Sequence, residues 1–318
     1  MGKVILPEDL AKTAIKYRKM FLMMAVIGLA ETKKHMTIRP GIRYKEVVGE
    51  LTGGIEIGPY SETREDNSDL NVVKRELETF FGSVVRKFSP NAIYQSIWGS
   101  SVTKGEGLKE TEITKQVIGF LMKKLSESLN NNVWGAVRKA DGDKTSDLFN
   151  GLDTIATTEI AGGGLSTDKK NLFEFGETID KNNAVDLLKT FYRSADDVLK
   201  GEKTKLYIPH SIYDAYVDDY QATVGAAPYN REFEKTFLEG SNNRCELVAL
   251  SNKAGSPYIQ LSTQSNMLIG VDQESDLEKI LIEKHHPFVL DFIVTMFFGT
   301  QYESINKERL LVGKLFAG

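Results

Sequence analysis

The sequence predicts an α+β fold in which strand-rich and helix-rich stretches follow one another along the chain. Three observations predict it. Residues 43–98 alternate apolar and polar side chains about a charged tip. Residues 111–137 carry one apolar stripe at helical spacing. Residues 246–315 are a series of short β-rich runs, preceded by a helix–strand–helix unit that begins near Asn182. Alternation at period two marks strands, and recurrence every three or four residues marks helices.

Bulk properties narrow the function classes. A chain of 318 residues, 41% hydrophobic and 26% charged, is long enough to bury a sizeable core and has the composition of a folded protein. A net charge of -4 makes it a poor grip for a nucleic-acid backbone, where affinity comes from clustered Lys and Arg. Cys245 stands alone, which excludes an intrachain disulfide and every zinc motif built on paired thiolates.

The first element is a helix expected over residues 1–35. Pro7, Glu8 and Asp9 suit a first turn, because proline needs no donor there and acids complement the positive helix end. Lys16, Arg18 and Lys19 then precede an apolar run from Met20 to Ala30. That order superficially matches a secretory signal, but the basic cluster follows acids, and the run is shorter than the about 20 residues a bilayer requires. Pro40-Gly41 marks a turn. Residues 1–50 hold ten Lys and Arg against five Asp and Glu, opposite in sign to the whole chain. A solvated helix face and an arm lying on an acidic neighbour both fit this charge.

In residues 43–98, Val47, Val48, Ile55 and Ile57 lie before the polar tip at 61–69, and Val72, Val73, Thr79, Phe80, Phe81, Val84, Val85 and Phe88 lie after it. Leu77, Thr79 and Phe81 fall on one face at period two. A long hairpin is expected. Two strands alone are marginal in water, so its faces need a cover from elsewhere in the fold or from another copy.

The next element is the clearest helix. Ile113, Val117, Leu121, Leu125, Leu129 and Val133 recur every fourth residue, Phe120 and Trp134 widen the stripe, and Thr111 offers an N-cap before Glu112. Its length is expected at about 40 Å, that of a rod lying across a sheet. After a looser link, Asn182 or Asn183 caps a helix reaching Gly201; a strand covers 205–208; and Ser211 caps a helix carrying Tyr213, Tyr216 and Tyr220. Strands are expected at 246–250, 257–263, 267–271, 277–283, 288–298 and 310–315, with Gly299 separating the last two.

No catalytic constellation emerges. The glycines at 162–164 have no following Lys, so they are no phosphate loop, and no Gly-x-Ser-x-Gly elbow occurs. His285 and His286 are adjacent on a strand and point to opposite faces, which rules out a shared metal ion. His210 sits beside Pro209 at a helix start. Asp196-Asp197 and Asp218-Asp219 diverge by about 100° on helices and read as solvated faces rather than an acid/base pair. The tyrosine stripe has no basic groove beside it, so it reads as packing; Trp98 and Trp134 read as packing anchors.

The order of parts carries a resemblance. Leu70 to Pro90, with Arg75-Glu76-Leu77 and Gly82-Ser83-Val84-Val85, looks like an extended loop; Ile113 to Gly135 looks like a spine helix; Phe149-Asn150-Gly151-Leu152 looks like the short aromatic-x-Gly-Leu stretch after it. Asn183 to Tyr192, Lys205 to Ile208 and the Tyr213 helix look like an axial domain, and Asn266 to Gly270, Asp272 and Lys279 to Phe298 like returning strands. Taken together the chain resembles the major capsid protein of tailed phages, with the Hong Kong 97-type fold.

That resemblance implies an N-terminal arm at 1–42, an extended loop at 43–98, a peripheral domain from 99–180 and 265–318, and an axial α/β domain at 181–264. It implies a structural shell subunit, not an enzyme, that self-assembles into hexamers and pentamers around double-stranded DNA held without sequence preference. A portal protein is the other implied partner. With few residues before the hairpin, a separately encoded scaffolding protein is expected. No cofactor, metal, catalytic residue or membrane contact is expected. The subunit contacts are placed at Arg39, Arg75, Glu76, Phe80, Phe81, Arg86 and Trp98. The setting is the virion capsid, after synthesis in the bacterial host cytoplasm. An encapsulin-like compartment shell and an α+β enzyme with an unrecognised site are the alternatives.

Overall fold

The computed structural model describes residues 30–53, 60, 70–88, 110–225, 229–230, 235–272, 280–286 and 289–316. Most of the leading segment, the hairpin tip and Trp98 lie outside the described residues. Two five-stranded sheets organise the rest.

The first sheet is built on the 14-residue β13 (Val289–Tyr302). β11 (Met267–Val271) and β12 (Ile280–His286) pair antiparallel along one edge of it, and β4 (Phe80–Phe88) pairs along the other. β1 (Thr37–Pro40) adds parallel to β11. The second sheet runs β5 (Leu172–Glu174), β14 (Leu310–Lys314), β10 (Tyr258–Ser262), β6 (Thr204–Pro209), β9 (Cys245–Leu250). Every residue of β10 and β11 is buried, the pattern of strands covered on both faces.

The long helix α2 (Glu110–Asn132) follows α1 (Ala30–His35). It starts one residue before the expected Thr111 cap and stops five residues short of 137. Met122, Ser126, Leu129, Val133 and Trp134 are buried, but Phe120 is 59% exposed beneath Lys124 and does not widen the stripe. Just past its end, the backbone carbonyls bond the start of the next helix. Leu152 N–H bonds the Val133 carbonyl at 3.0 Å and Asp153 N–H that of Trp134 at 3.0 Å, so the start of α3 (Leu152–Ala161) uses the end of α2. Gly151 permits this junction: a Cβ there would lie 2.1 Å from the Trp134 carbonyl oxygen.

The second sheet separates two cores. One lies under α2 and α3 and joins Trp134, Phe149, Tyr207, Tyr302 and Phe298. The other lies under α4 (Ala184–Ser194) and α6 (His210–Val224), with Leu188, Phe191, Leu206, Ile208, Tyr216 and Ile259. The helix expected to reach Gly201 breaks at Ala195; α5 (Asp197–Gly201) restarts it, capped by Asp196, whose Oδ1 accepts from Val198 N–H at 3.0 Å. Asp196 also pairs with Lys307 at 3.0 Å, which lowers its carboxyl pKa, so it is no bystander on a solvated face. Asp219 is not solvated either. It is buried and accepts the Val185 N–H at 2.7 Å, supplying the cap for which Asn183 holds the position, while the Asn183 side chain bonds Asp180 and Thr178 instead. α6 begins at His210 after Pro209, not at a Ser211 cap.

The predicted hairpin forms, but over a shorter span. β2 (Lys45–Gly53) and β3 (Leu70–Glu78) pair antiparallel from Lys45↔Glu78 to Gly53↔Leu70. The ribbon ends at Thr79, whose N–H bonds the Tyr44 carbonyl at 2.7 Å and whose hydroxyl bonds that of Ile42 at 3.2 Å. β4 then leaves for the first sheet. Leu77 and Thr79 are buried while Phe81 is 55% exposed, so the three do not share one covered face. Gly299 does not end a strand, because β13 runs through it to Tyr302. The glycine is there for contact: a Cβ would lie 1.9 Å from the Glu78 carbonyl oxygen, where the ribbon crosses the sheet.

Candidate subunit-contact surface

The ribbon has two unlike faces. Toward the body, Leu77 and Val48 join Ile42 and Leu268 in a small buried cluster. Arg75 lies on the same face. Its Nε donates to the Tyr302 carbonyl at 3.2 Å, and its Nη2 to Glu159 Oε1 at 2.8 Å and Gln301 Oε1 at 3.1 Å. Gln301 in turn donates to the Glu76 carbonyl at 3.0 Å. Arg75 therefore pins the ribbon to β13 and α3 from within the same chain.

Away from the body the ribbon presents Lys45, Val47, Lys74, Glu76 and Glu78. Val47 is 62% exposed. Lys45 pairs with Glu76 at 2.9 Å and Glu78 at 2.5 Å, and these hydrogen bonds raise its pKa above the ordinary lysine value. An exposed valine inside a row of charges has nothing of its own chain above it among the described residues.

The other expected contact residues are dispersed. Arg39 on β1 reaches Glu303 at 3.5 Å, and Glu303 also holds Arg309 at 2.9 Å. Phe80 faces the core and carries the Arg138 guanidinium 4.7 Å above its ring. Phe81 and Arg86 on β4 are exposed, as is Glu76. Arg75 and Glu76 lie on opposite faces of the ribbon, and Phe80 and Phe81 on opposite faces of β4, so the structure does not bring the expected residues onto one surface. Sequence reasoning passed over Tyr44, whose backbone φ of +68° and 67% exposure set an aromatic ring at the ribbon's root. An aromatic three residues past Pro40-Gly41 is only a weak signal for it.

Ionisable groups are also buried, but sealed. Lys253 has no exposed surface; its Nζ lies 3.6 Å from the Trp134 ring centroid, 3.2 Å from Asp153 Oδ1 and 3.2 Å from Ser256 Oγ. Ser256 and Gln260 donate to the two Asp153 oxygens at 2.6 and 2.7 Å. Burial outweighs the Asp153 carboxylate and brings the lysine pKa down to about 8. With no solvent access the group has a structural part to play rather than a substrate to meet. Among the described residues no cluster of His, Cys, Asp and Glu has a metal-holding arrangement, and no helix is long and apolar enough to cross a membrane.

No protein-family model and no curated protein matches the chain. Solved structures match over most of its length. A chain of the satellite phage P4 procapsid that includes the size determination (Sid) protein has a TM-score of 0.59 at 11% identity, covering 92% of this chain and 97% of that one. A chain of the native GTA particle capsid has 0.61 at 10%, covering 91% of each. One of the cyanophage A-1(L) capsid has 0.57 at 13%, covering 93% of each. The chain has the tailed-phage capsid fold. At these identities the likeness is one of fold.

Proposed function

We propose that this chain is a structural shell subunit, without catalytic activity, that assembles into hexamers and pentamers of an icosahedral phage or prophage capsid around double-stranded DNA. One observation carries the reading: a β-ribbon fastened to its own body along one face by Leu77 and Arg75, with Val47 bare on the other. A two-stranded ribbon with an open face is completed by a further surface, and in the capsid fold that surface is another copy. The acidic balance of -4 supports packing DNA without gripping it.

In this reading residues 1–42 form the arm, 43–98 the extended loop, 99–180 and 265–318 the peripheral domain and 181–264 the axial domain. β5 and β14 then tie peripheral chain into the axial sheet. Arg39, Arg75, Glu76, Phe80, Phe81, Arg86 and Trp98 are the proposed contact residues. A separate scaffolding protein and a portal protein are the proposed partners, and the virion, after synthesis in the host cytoplasm, is the location. The test is electron microscopy of the purified chain, alone and with DNA-packaging extract. Capsomers, tubes or shells, with nuclease-protected DNA in filled particles, are expected. A persistent monomer overturns the reading, and shells that enclose protein cargo but never DNA replace it with a compartment shell.

A further inference from the structure

β4 ends the first sheet on one side. It pairs with β13 from Phe80↔Phe298 to Phe88↔Leu290, and among the described residues nothing pairs with its other edge. Ser83 to Lys87 are exposed in unbroken succession, on both faces of the strand. A groove of about 380 Å³ runs beside residues 81–84. Leu125, Leu129 and Met296 floor it, and residues 138–148 supply its far wall. An edge nine residues long presents a row of backbone donors and acceptors, which is a template for a further strand.

We propose that the further strand is β4 of a second copy, paired antiparallel about a two-fold axis at Val84. The inference goes beyond the shell reading and does not depend on it, since a free dimer would hold the same contact. The strand is complementary to itself in this register. Val84 is its middle residue, so all nine residues pair, Phe80 with Phe88 at each end. Arg86 comes opposite Gly82 and Lys87 opposite Phe81, so the cations of one copy do not oppose those of the other. Gly82 and Arg86 lie on the groove side with Val84, across from the buried Val294 and Met296. A Cβ at Gly82 would be 2.9 Å from Leu148 Cδ2, so the second copy's strand finds no side chain there, and its arginine runs past Leu148 into the groove. Arg138, Asp143, Lys144 and Asp147 are the charged residues of the groove. The Arg138 guanidinium lies over Phe80 and donates to the Lys139 and Asp147 carbonyls, and Asp147 pairs with Lys139 at 3.7 Å. Asp143 makes no ion pair among the described residues, and it is the carboxylate that Arg86 of the second copy meets. On the opposite face the Lys87 stem covers the Phe81 ring, which is 55% exposed in the single chain.

Val84→Cys in the full-length chain tests this, because the axis sets the new thiol opposite its own copy. Residues facing each other in an antiparallel pair have Cα atoms about 4.5 or about 5.5 Å apart, and a disulfide spans either distance. Val84 is 38% exposed, so the substitution leaves the subunit folded, and Cys245 is fully buried and does not compete. Mild oxidation is expected to give a disulfide-linked dimer at ten or more times the yield from Val198→Cys, an exposed site on α5. Equal yields overturn the proposal. Adding Arg86→Glu to Val84→Cys sets a carboxylate against Asp143, and a yield at least tenfold lower is expected; an unchanged yield overturns the register. Electron microscopy of the same samples separates this contact from the shell reading. Shells without the Val84 cross-link overturn the contact alone, and a cross-linked dimer that never forms shells supports the contact while the shell reading fails.

Discussion

Lys253 and Lys45 show how differently two regions of this molecule treat the same side chain. Lys253, at the junction of α2, α3 and β10, is sealed beneath Trp134, with Asp153 and Ser256 as partners. Lys45, on the outer face of the ribbon, is 58% exposed between two glutamates and lies across the ribbon from Glu78 beside a bare Val47. The junction is complete within one chain, down to the helix-end carbonyls that meet the start of α3. The ribbon is complete only on the side that touches its own body. On the proposed shell reading, such a chain folds on its own interior and keeps its outer apolar residues for another copy.

The largest effect that tests this contrast is at the junction. Lys253→Met leaves the Asp153 carboxylate buried without its cation, and a loss of about 3–5 kcal/mol in denaturant unfolding is expected. The double variant Lys253→Met/Asp153→Asn removes both charges and is expected to recover at least half of it. A single-variant loss below about 1 kcal/mol breaks the contrast, since such a change is ordinary for any site.

Arg75→Leu comes next. It removes hydrogen bonds from a charged group to Glu159 and Gln301, so a loss of about 1.5–3 kcal/mol is expected, concentrated in the ribbon. Limited proteolysis should cut residues 45–78 first in the variant. Cleavage with the wild-type pattern means the ribbon is held by Leu77 and Val48 alone.

A pH-dependent effect follows from the same buried lysine. The Lys253 amine is lowered from 10.5 to about 8 in the fold, so below pH 8 it is protonated in both states and the burial penalty is complete. Between about 8 and 10.5 the unfolded chain binds more protons, and stability of the wild type relative to Lys253→Met rises with pH. A flat or falling difference in melting temperature across that window contradicts the sealed environment.

The smallest expected change in stability is on the ribbon's open face. Val47→Ser should leave unfolding within about 0.5 kcal/mol of wild type. Its effect should appear in assembly, as a raised critical concentration measured by light scattering. Unchanged assembly places the partner's contact elsewhere on the ribbon.

Much of the fold was legible from spacing. β11 spans the expected 267–271, and the four-residue recurrence marks the start of α2 to within a residue but overshoots its end by five. The proposed contact residues differ in exposure. Phe81 and Glu76 are exposed on and beside the ribbon base as a contact needs, but Arg75 has its guanidinium bonded within the chain. Nothing in the spacing of Arg75 distinguishes a cation waiting for a neighbour from one already bonded to Glu159, 84 residues away.

What the sequence determined by itself is what periodicity encodes: which stretches are helices or strands, and that two of the strands form a ribbon. These depend on neighbours a few residues apart. What only the tertiary structure decided depends on groups far apart in the chain that meet in space. Thr79 ends the ribbon because the carbonyls of Ile42 and Tyr44 take its donors. Gly299 lies within a strand because Glu78 crosses it, and Asp219 is buried because the start of α4 needs an acceptor. Backbone donors and acceptors must be paired wherever they are buried, and the identity of the partner is set by the packing of the whole chain.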